Sequence, residues 1–373
     1  MSKPRLFERF PVLEGALPWT PIGKFPTPVA RLAALGKRLG ATSLWVKRDD
    51  LTSRQYGGNK VRKLEWLLGD ALRLGADRVL TVGALGSHHV LATAIHAGRL
   101  GLAVDALQFP RPLDEKVLRA VRTTEGYDTN VLWTPSKYLL PFTIGWQRAL
   151  PRFEKRLEKR YYVAPGGSSA LGVLGYVEAA LELKAQVDAG EVPEPTAIFA
   201  AAGTGGTVAG LVLGCRIAGL RSRVVGVRVV DRIACNAFLI ARLANQGLAL
   251  LRRAGMKDRV KRIKQSDFAI LHDHFGAGYG VPTHAALEAV SIMSDLERIT
   301  LEPTYTGKTL SALLFEVLKH RMLRTEPVLF WNTFSSVRLQ QRPTDAGAPP
   351  PGPVGYRQFL SGAERLRTSI PIG

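Results

Sequence analysis

The sequence predicts an α/β protein with a largely parallel sheet, distributed over two domains. Three observations predict it. Short β-rich runs alternate with amphipathic stretches along the 373 residues, the order that strand–helix–strand units require. Runs such as RVVGVRVV (223–230) are nearly continuous valine, which suits strands covered on both faces. The length corresponds to two domains at about 100–200 residues each.

The elements follow in order. SLWVKR (43–48) reads as a strand, and 60–74 as an apolar-periodic helix. DRVLTV (77–82) leads to a helix over 88–100, and LAVDALQ (102–108) to one over 114–126. YYVA (161–164) precedes 168–189, TAIFAA (196–201) precedes 206–219, and RVVGVRVV precedes 232–252. FAIL (268–271), helices over 283–296 and 308–322, and PVLFW (327–331) complete the series. The helices space their apolar residues by three and four, and the strands are short and β-branched or aromatic. Two segments break the rhythm: 134–160, with its prolines and basic run, and 341–373, rich in Pro and Gly and expected to form an irregular tail.

Composition narrows the function. With 46% hydrophobic residues the chain can build a real core. Lys and Arg number 51 against 31 Asp and Glu, a formal +20, so anions such as phosphorylated cofactors and carboxylate substrates are attracted. Cys215 and Cys235 form no CxxC pair, which suits a reducing cytoplasm. The opening MSKPRLFERFPVLEG has no signal-like apolar core, and no apolar run has the ~18–20 residues of a membrane helix. A soluble cytoplasmic protein is expected. The basic stretch 249–264 has no aromatic interleaving and no helix-turn-helix pattern; it reads as a solvated face, so no specific nucleic-acid partner is expected. His272 and His274 have no third ligand at a metal-site spacing, and no metal is assigned.

Three segments carry chemistry. In RQYGGNKVRKLEWLL (54–68) a Gly-Gly pair permits a tight backbone approach, and Lys60 then opens a helix. The positive end of the helix dipole should depress the pKa of that amine, and a neutral amine attacks aldehydes. In TVGALGSHHVLATAIHAGRLG (81–101) Ser87 is placed to cap a helix beyond a strand's carboxyl end. In TAIFAAAGTGGTVAGLVLG (196–214) the run Gly203-Thr204-Gly205-Gly206-Thr207 lies between strand and helix, the architecture of a phosphate cradle. Val208 stands where the third glycine of a dinucleotide fingerprint would fall, and no lysine follows the glycines as in a P-loop. A single terminal phosphate fits better than a nucleotide.

Together these segments resemble the D-cysteine desulfhydrase and aminocyclopropane-carboxylate deaminase family, within the tryptophan-synthase-β-like pyridoxal-phosphate fold. YGGNKVRKLEWLLGDALRLGAD resembles its Schiff-base region, and APGGSSALGVLGYVEAALEL (164–183), FGAGYGVP (275–282) and EPTYTGKTL (302–310) resemble further segments in the family's order. The resemblance spans about residues 20–332 and implies two open, mostly parallel three-layer α/β domains. The larger, cofactor-binding one would comprise 1–52 with 164–340, the smaller one 53–163, followed by the tail 341–373. It implies pyridoxal 5'-phosphate held on Lys60, the lysine that also moves the substrate's α-proton. Asn59 accompanies it. Gly203 to Thr207 would hold the phosphate. Ser87 would lie near the substrate carboxylate, Tyr279 and Tyr305 would be active-site tyrosines, and Thr306 would face the pyridine nitrogen.

Three departures stand out. Ser87-His88-His89, preceded by Gly86, replaces the family's Ser-Asn-His, so His88 would take the asparagine's hydrogen bond to the phenolic oxygen. Asn332-Thr333-Phe334-Ser335 replaces His-Thr-Gly-Gly, which should reduce the space beside the ring. The phosphate loop also differs in detail. Thr306 stands where the deaminase branch carries glutamate, which favours the desulfhydrase side. The implied reaction is α,β-elimination from a small amino acid such as D-cysteine, giving keto acid, ammonia and sulfide. The alternatives are aminocyclopropane-carboxylate deaminase, racemase or β-replacement synthase chemistry on the same fold, or a basic anion- or nucleic-acid-binding protein. A homodimer is the family's habit.

Overall fold

The computed structural model describes residues 3–113, 115–127, 129–153, 159–337 and 352–368. Its strands, in chain order, are β1 (Val29–Arg31), β2 (Leu44–Arg48), β3 (Arg78–Ala84), β4 (Ala103–Phe109), β5 (Thr129–Trp133), β6 (Arg160–Val163), β7 (Ala197–Ala202), β8 (Arg223–Arg228), β9 (Ala269–Leu271) and β10 (Val328–Asn332). The chain divides into two compact units, Met1–Gly69 with Gly167–Val337, and Asp70–Gly166 with Arg338–Gly373. The segment 53–69, expected in the smaller domain, thus lies in the first unit.

The first unit has a sheet of order β1-β2-β10-β7-β8-β9, parallel except for the β1–β2 pair. Every residue of β7 is buried, as a central parallel strand requires. Its alternation feeds two cores. Ile198, Ala200 and Ala202 join Leu329 and Trp331 under helices Leu174–Asp188, Gly206–Ala218 and Ala237–Arg253. Ala197 and Phe199 join Val46 and Phe330 under Ala33–Leu39, His284–Glu297 and Thr306–Lys319. The result is helix, sheet, helix, with the carboxyl ends of β2, β7 and β10 on one edge.

The second unit has a parallel sheet of order β5-β4-β3-β6. Buried Asp105 on β4 accepts from Arg78 and Asn130 and pairs with Arg160 at 2.8 Å, neutralising charge inside the sheet. The tail expected to be irregular contains a helix, Val354–Thr368. Its Tyr356 and Leu360 are buried with Leu85, Val117 and Val131, and the Tyr356 hydroxyl donates to Glu125 at 2.8 Å. Residues 338–351 lie outside the described residues. The rhythm break at 134–160 holds helix Leu140–Phe153, and residues 154–158 of it are outside the description. Among the described residues no helix is long and apolar enough to cross a membrane.

Candidate active site

The lysine turn is built by the first unit's sheet edge. Asp49 and Asp50 follow β2 directly, and residues 333–336 follow β10. Gly58 N donates to Asp49 O at 2.9 Å, and Asn59 N to Thr333 O at 3.1 Å. Gly57 N donates to Ser335 Oγ at 2.9 Å, and Thr52 Oγ1 to Gly58 O at 3.0 Å. Gly58 needs to be glycine twice over. Its φ is +93°, and a methyl group there would lie 2.8 Å from Thr333 O. This clamp sets Asn59 and Lys60 as the first two residues of helix Asn59–Arg73.

Lys60 is half-buried, and its pKa is lowered to about 8. Burial is the principal cause, and the negative charge of Glu302 opposes it. Lys60 does stand at the helix N-terminus, as its second residue. Its neighbours on either side reach the 203–207 loop. Asn59 Nδ2 donates to Thr207 Oγ1 at 3.1 Å. Lys63, one helical turn on and buried, brings its Nζ to 2.9 Å from where a methyl on Gly206 would sit.

The loop itself is shaped for an anion. Gly205 is left-handed at φ +83° and turns the chain into helix Gly206–Ala218. A methyl on Gly206 would also lie 2.5 Å from Ser168 Oγ. That oxygen accepts from Gly206 N at 3.2 Å and shares a 2.6 Å bond with Thr204 Oγ1. The side of Gly206 that a Cβ would fill is therefore lined by the Lys63 amine and hydroxyls at a helix N-terminus, a donor set matched to a phosphate dianion. Burial, and then the charge of Lys60, hold the Lys63 pKa well below its ordinary value. An anion between the two amines would offset that cost. Sequence reasoning missed Lys63 and Ser168, although the i,i+3 spacing from Lys60 was a signal for the first.

Over residues 21–333 the chain matches the family described as pyridoxal-phosphate dependent enzyme. It belongs to that family. It is 34% identical over 318 residues to the D-cysteine desulfhydrase of Salmonella newport (strain SL254), covering 83% of this chain and 91% of the relative. A crystal structure of an ACC deaminase homologue superposes with a TM-score of 0.74 at 30% identity, covering 97% of this chain and all of that one. A threonine deaminase from Solanum lycopersicum shares the fold at 15% identity and TM-score 0.58, over 98% of this chain and 90% of that one. The chain is thus a pyridoxal-phosphate-dependent enzyme, and the donor set around Gly206 fits that cofactor's phosphate.

The tyrosines lie on the same unit of this pyridoxal-phosphate enzyme. Tyr279 and Tyr305 share a 2.8 Å hydroxyl–hydroxyl bond, and a methyl on Gly203 would lie 3.2 Å from the Tyr305 ring. Glu302 builds the turn that presents Tyr305. Its carboxylate accepts from the N–H groups of Thr304, Tyr305 and Thr306 at 2.8, 2.6 and 2.8 Å. Thr306 opens the next helix, and its hydroxyl bonds the Glu302 backbone at both N (2.9 Å) and O (3.1 Å). Sequence reasoning quoted Glu302 within EPTYTGKTL and gave it no role of its own.

Ser87 and His88 belong to the second unit. Ser87 caps helix His88–Arg99, its Oγ accepting from His89 N at 3.2 Å. His88 is the first helical residue, and His89 Nε2 lies 3.2 Å from Thr81 Oγ1. The basic stretch 249–264 is held within its own unit by arginine side chains. Arg252 donates to Val260 O, and Arg216 donates to Arg262 O while pairing with Asp267. His272 Nδ1 accepts from Arg228 Nε at 2.9 Å.

Proposed function

We propose that this enzyme is a lyase that eliminates a β-substituent from a small amino acid, with D-cysteine the first candidate, releasing keto acid, ammonia and sulfide. One observation carries the assignment of Lys60: a half-buried amine with a pKa near 8 stands between two side chains that both reach the 203–207 loop. The D-cysteine desulfhydrase relatives support the substrate.

Bound pyridoxal phosphate supplies an electron sink that acidifies the α-carbon of an amino acid. Lys60 would hold the cofactor through its ε-amine and, as a free amine, would carry the substrate's α-proton. A pKa near 8 leaves a useful fraction of neutral base at neutral pH. Lys63 and the hydroxyls of Thr204 and Ser168, on the 203–207 loop and beside it, would hold the phosphate. Tyr279 and Tyr305 together hold one hydroxyl hydrogen in a fixed line, so that one phenol can donate toward substrate while the other steadies it. Thr306 carries no charge, so it cannot hold a protonated pyridine as a carboxylate would. On the resemblance alone, Ser87 is assigned to the substrate carboxylate and His88 to the phenolic oxygen. The working form is taken as a cytoplasmic homodimer, which sedimentation and fractionation test.

The second reading is deamination of a cyclic amino acid, favoured by the 30% identity to the ACC deaminase homologue. Purified protein offered D-cysteine, L-cysteine and aminocyclopropane-carboxylate separates the two: sulfide release from a cysteine supports the first, keto acid and ammonia from aminocyclopropane-carboxylate the second. The decisive experiment is Lys60→Ala. It should abolish both the visible absorption of the holoenzyme and turnover of every substrate. An unchanged spectrum refutes the assignment of Lys60.

A further inference from the structure

Beside the lysine turn lies a cluster of charges that neither the phosphate cradle nor the tyrosine pair uses. Asp49, Arg62, Glu182 and Lys47 are all buried. Arg62 donates to Asp49 Oδ1 at 2.7 Å and Oδ2 at 2.9 Å, and to both oxygens of Glu182 at 3.0 Å. Asp49 Oδ2 also accepts from the Tyr176 hydroxyl at 2.6 Å and from Trp331 Nε1 at 2.7 Å. At the far end Lys47 meets Glu182, Gln186 and the carbonyl of Thr27.

Stability alone is a poor reason to bury such a cluster. Desolvation rivals the attraction, and apolar packing of equal volume does as well or better. A directional network does fix geometry, and here the geometry converges on one residue. Asp49 grips the chain on both sides of Lys60. Its carbonyl accepts from Gly58 N at 2.9 Å, and its carboxylate binds the Arg62 guanidinium. Asp49 directly follows β2, and Trp331 ties it to β10. The lysine backbone is thereby referred to two adjacent strands of the sheet.

We propose that Asp49 and Arg62 are positioning residues: they form a buried bracket that holds Lys60 in register for attack on the cofactor's aldehyde. The inference rests on the reading of Lys60 as the cofactor lysine. With two cations and two carboxylates the cluster is internally balanced, so it places the amine without adding net charge beside it.

The test compares two variants that damage the same cluster at different ends. Arg62→Lys keeps the charge but loses the planar fork that spans both carboxylates. Lys47→Met breaks the far end; among the described residues Lys47 itself has no hydrogen bond to residues 57–62 and meets Arg62 through Glu182. Each apoprotein is mixed with pyridoxal phosphate, and the rate of uptake is read from the rise in visible absorbance, well below each variant's unfolding temperature. Arg62→Lys should slow uptake about 10- to 100-fold, the scale of a misplaced reacting group. Lys47→Met should stay within about twofold of wild type despite a comparable loss of thermal stability. Wild-type uptake by Arg62→Lys overturns the proposal, as does equal slowing in both variants. If Arg62→Lys does not fold, Tyr176→Phe removes one bond to Asp49 and leaves Arg62 paired; uptake slowed about threefold or more supports the bracket, and unchanged uptake overturns it. A wild-type apoprotein that takes up no cofactor sinks the assignment of Lys60 itself, a result distinct from any pattern among the variants.

Discussion

Gly206→Ala separates the phosphate cradle from the stability of the fold. Gly206 opens helix Gly206–Ala218 without a left-handed backbone. Alanine is preferred to glycine in a helix by up to about 1 kcal/mol, so the backbone itself has no reason to lose stability. The added methyl would meet Ser168 Oγ at 2.5 Å and Lys63 Nζ at 2.9 Å. Both are ends of side chains, so both can withdraw, and in withdrawing they leave the phosphate. A charge-assisted hydrogen bond contributes about 1.5–3 kcal/mol, so cofactor affinity should fall roughly 10- to 150-fold. The assay is a titration of apoprotein with pyridoxal phosphate and, in parallel, with pyridoxal lacking the phosphate. Thermal unfolding of the apoprotein should change little, and binding of pyridoxal should match wild type. Full affinity for pyridoxal phosphate, or an equal loss for both compounds, would refute the placement of the phosphate at Gly206.

The remaining expectations follow from titration and from the tyrosines. Lys60 has a pKa near 8 against an ordinary value of 10.5, so cofactor uptake should accelerate as pH rises through about 8 and level off above it, in stopped-flow absorbance. Through the same group the unfolded chain binds more protons between about 8 and 10.5, so apoprotein stability should rise with pH across that window. Glu182 behaves oppositely to an ordinary buried acid: burial would raise its pKa, but Arg62 and Lys47 hold it down at about 2 against 4.5. Its contribution, about 3 kcal/mol on the linkage scale, is complete above pH 4.5 and is lost as pH falls through 2. Denaturant midpoints measured down the acid limb should show that slope, and Glu182→Gln should remove it. Tyr305→Phe deletes the 2.8 Å bond to Tyr279 and keeps the ring beside Gly203. Turnover should drop about tenfold or more while cofactor affinity holds within a few-fold, measured by kcat and by titration.

Periodicity made the alternation of strands and helices legible, because buried parallel strands and amphipathic helices carry strong local signals. The elements missed have weak ones. β1 is three residues at a sheet edge, and β5 reads TNVLW, with a polar start. Pro141 disguised helix Leu140–Phe153, yet it lies in the first turn, where proline costs no hydrogen bond. The apolar positions Tyr356 and Leu360 were hidden behind a proline run. At the site, Lys60 and the glycine loop are legible because a Gly-Gly pair and a glycine-rich strand–helix turn are unusual in themselves. Ser168 and Asp49 are not legible, for their meaning comes from partners 38 and 127 residues away.

The segment Asn332–Ser335 shows how far a departure in sequence can leave an anchoring function untouched. Read by residue type, replacing glycines here with Phe334 and Ser335 adds bulk beside the ring. In the structure the holding is done mostly by main chain: Thr333 O accepts from Asn59 N, and the Thr333 and Phe334 carbonyls crowd the α-carbon of Gly58. The Ser335 side chain adds an acceptor for Gly57 N that glycine could not offer. The demand for glycine is therefore met at 57 and 58 and not after β10. Any side chain at 58 would meet both a left-handed backbone and a carbonyl wall.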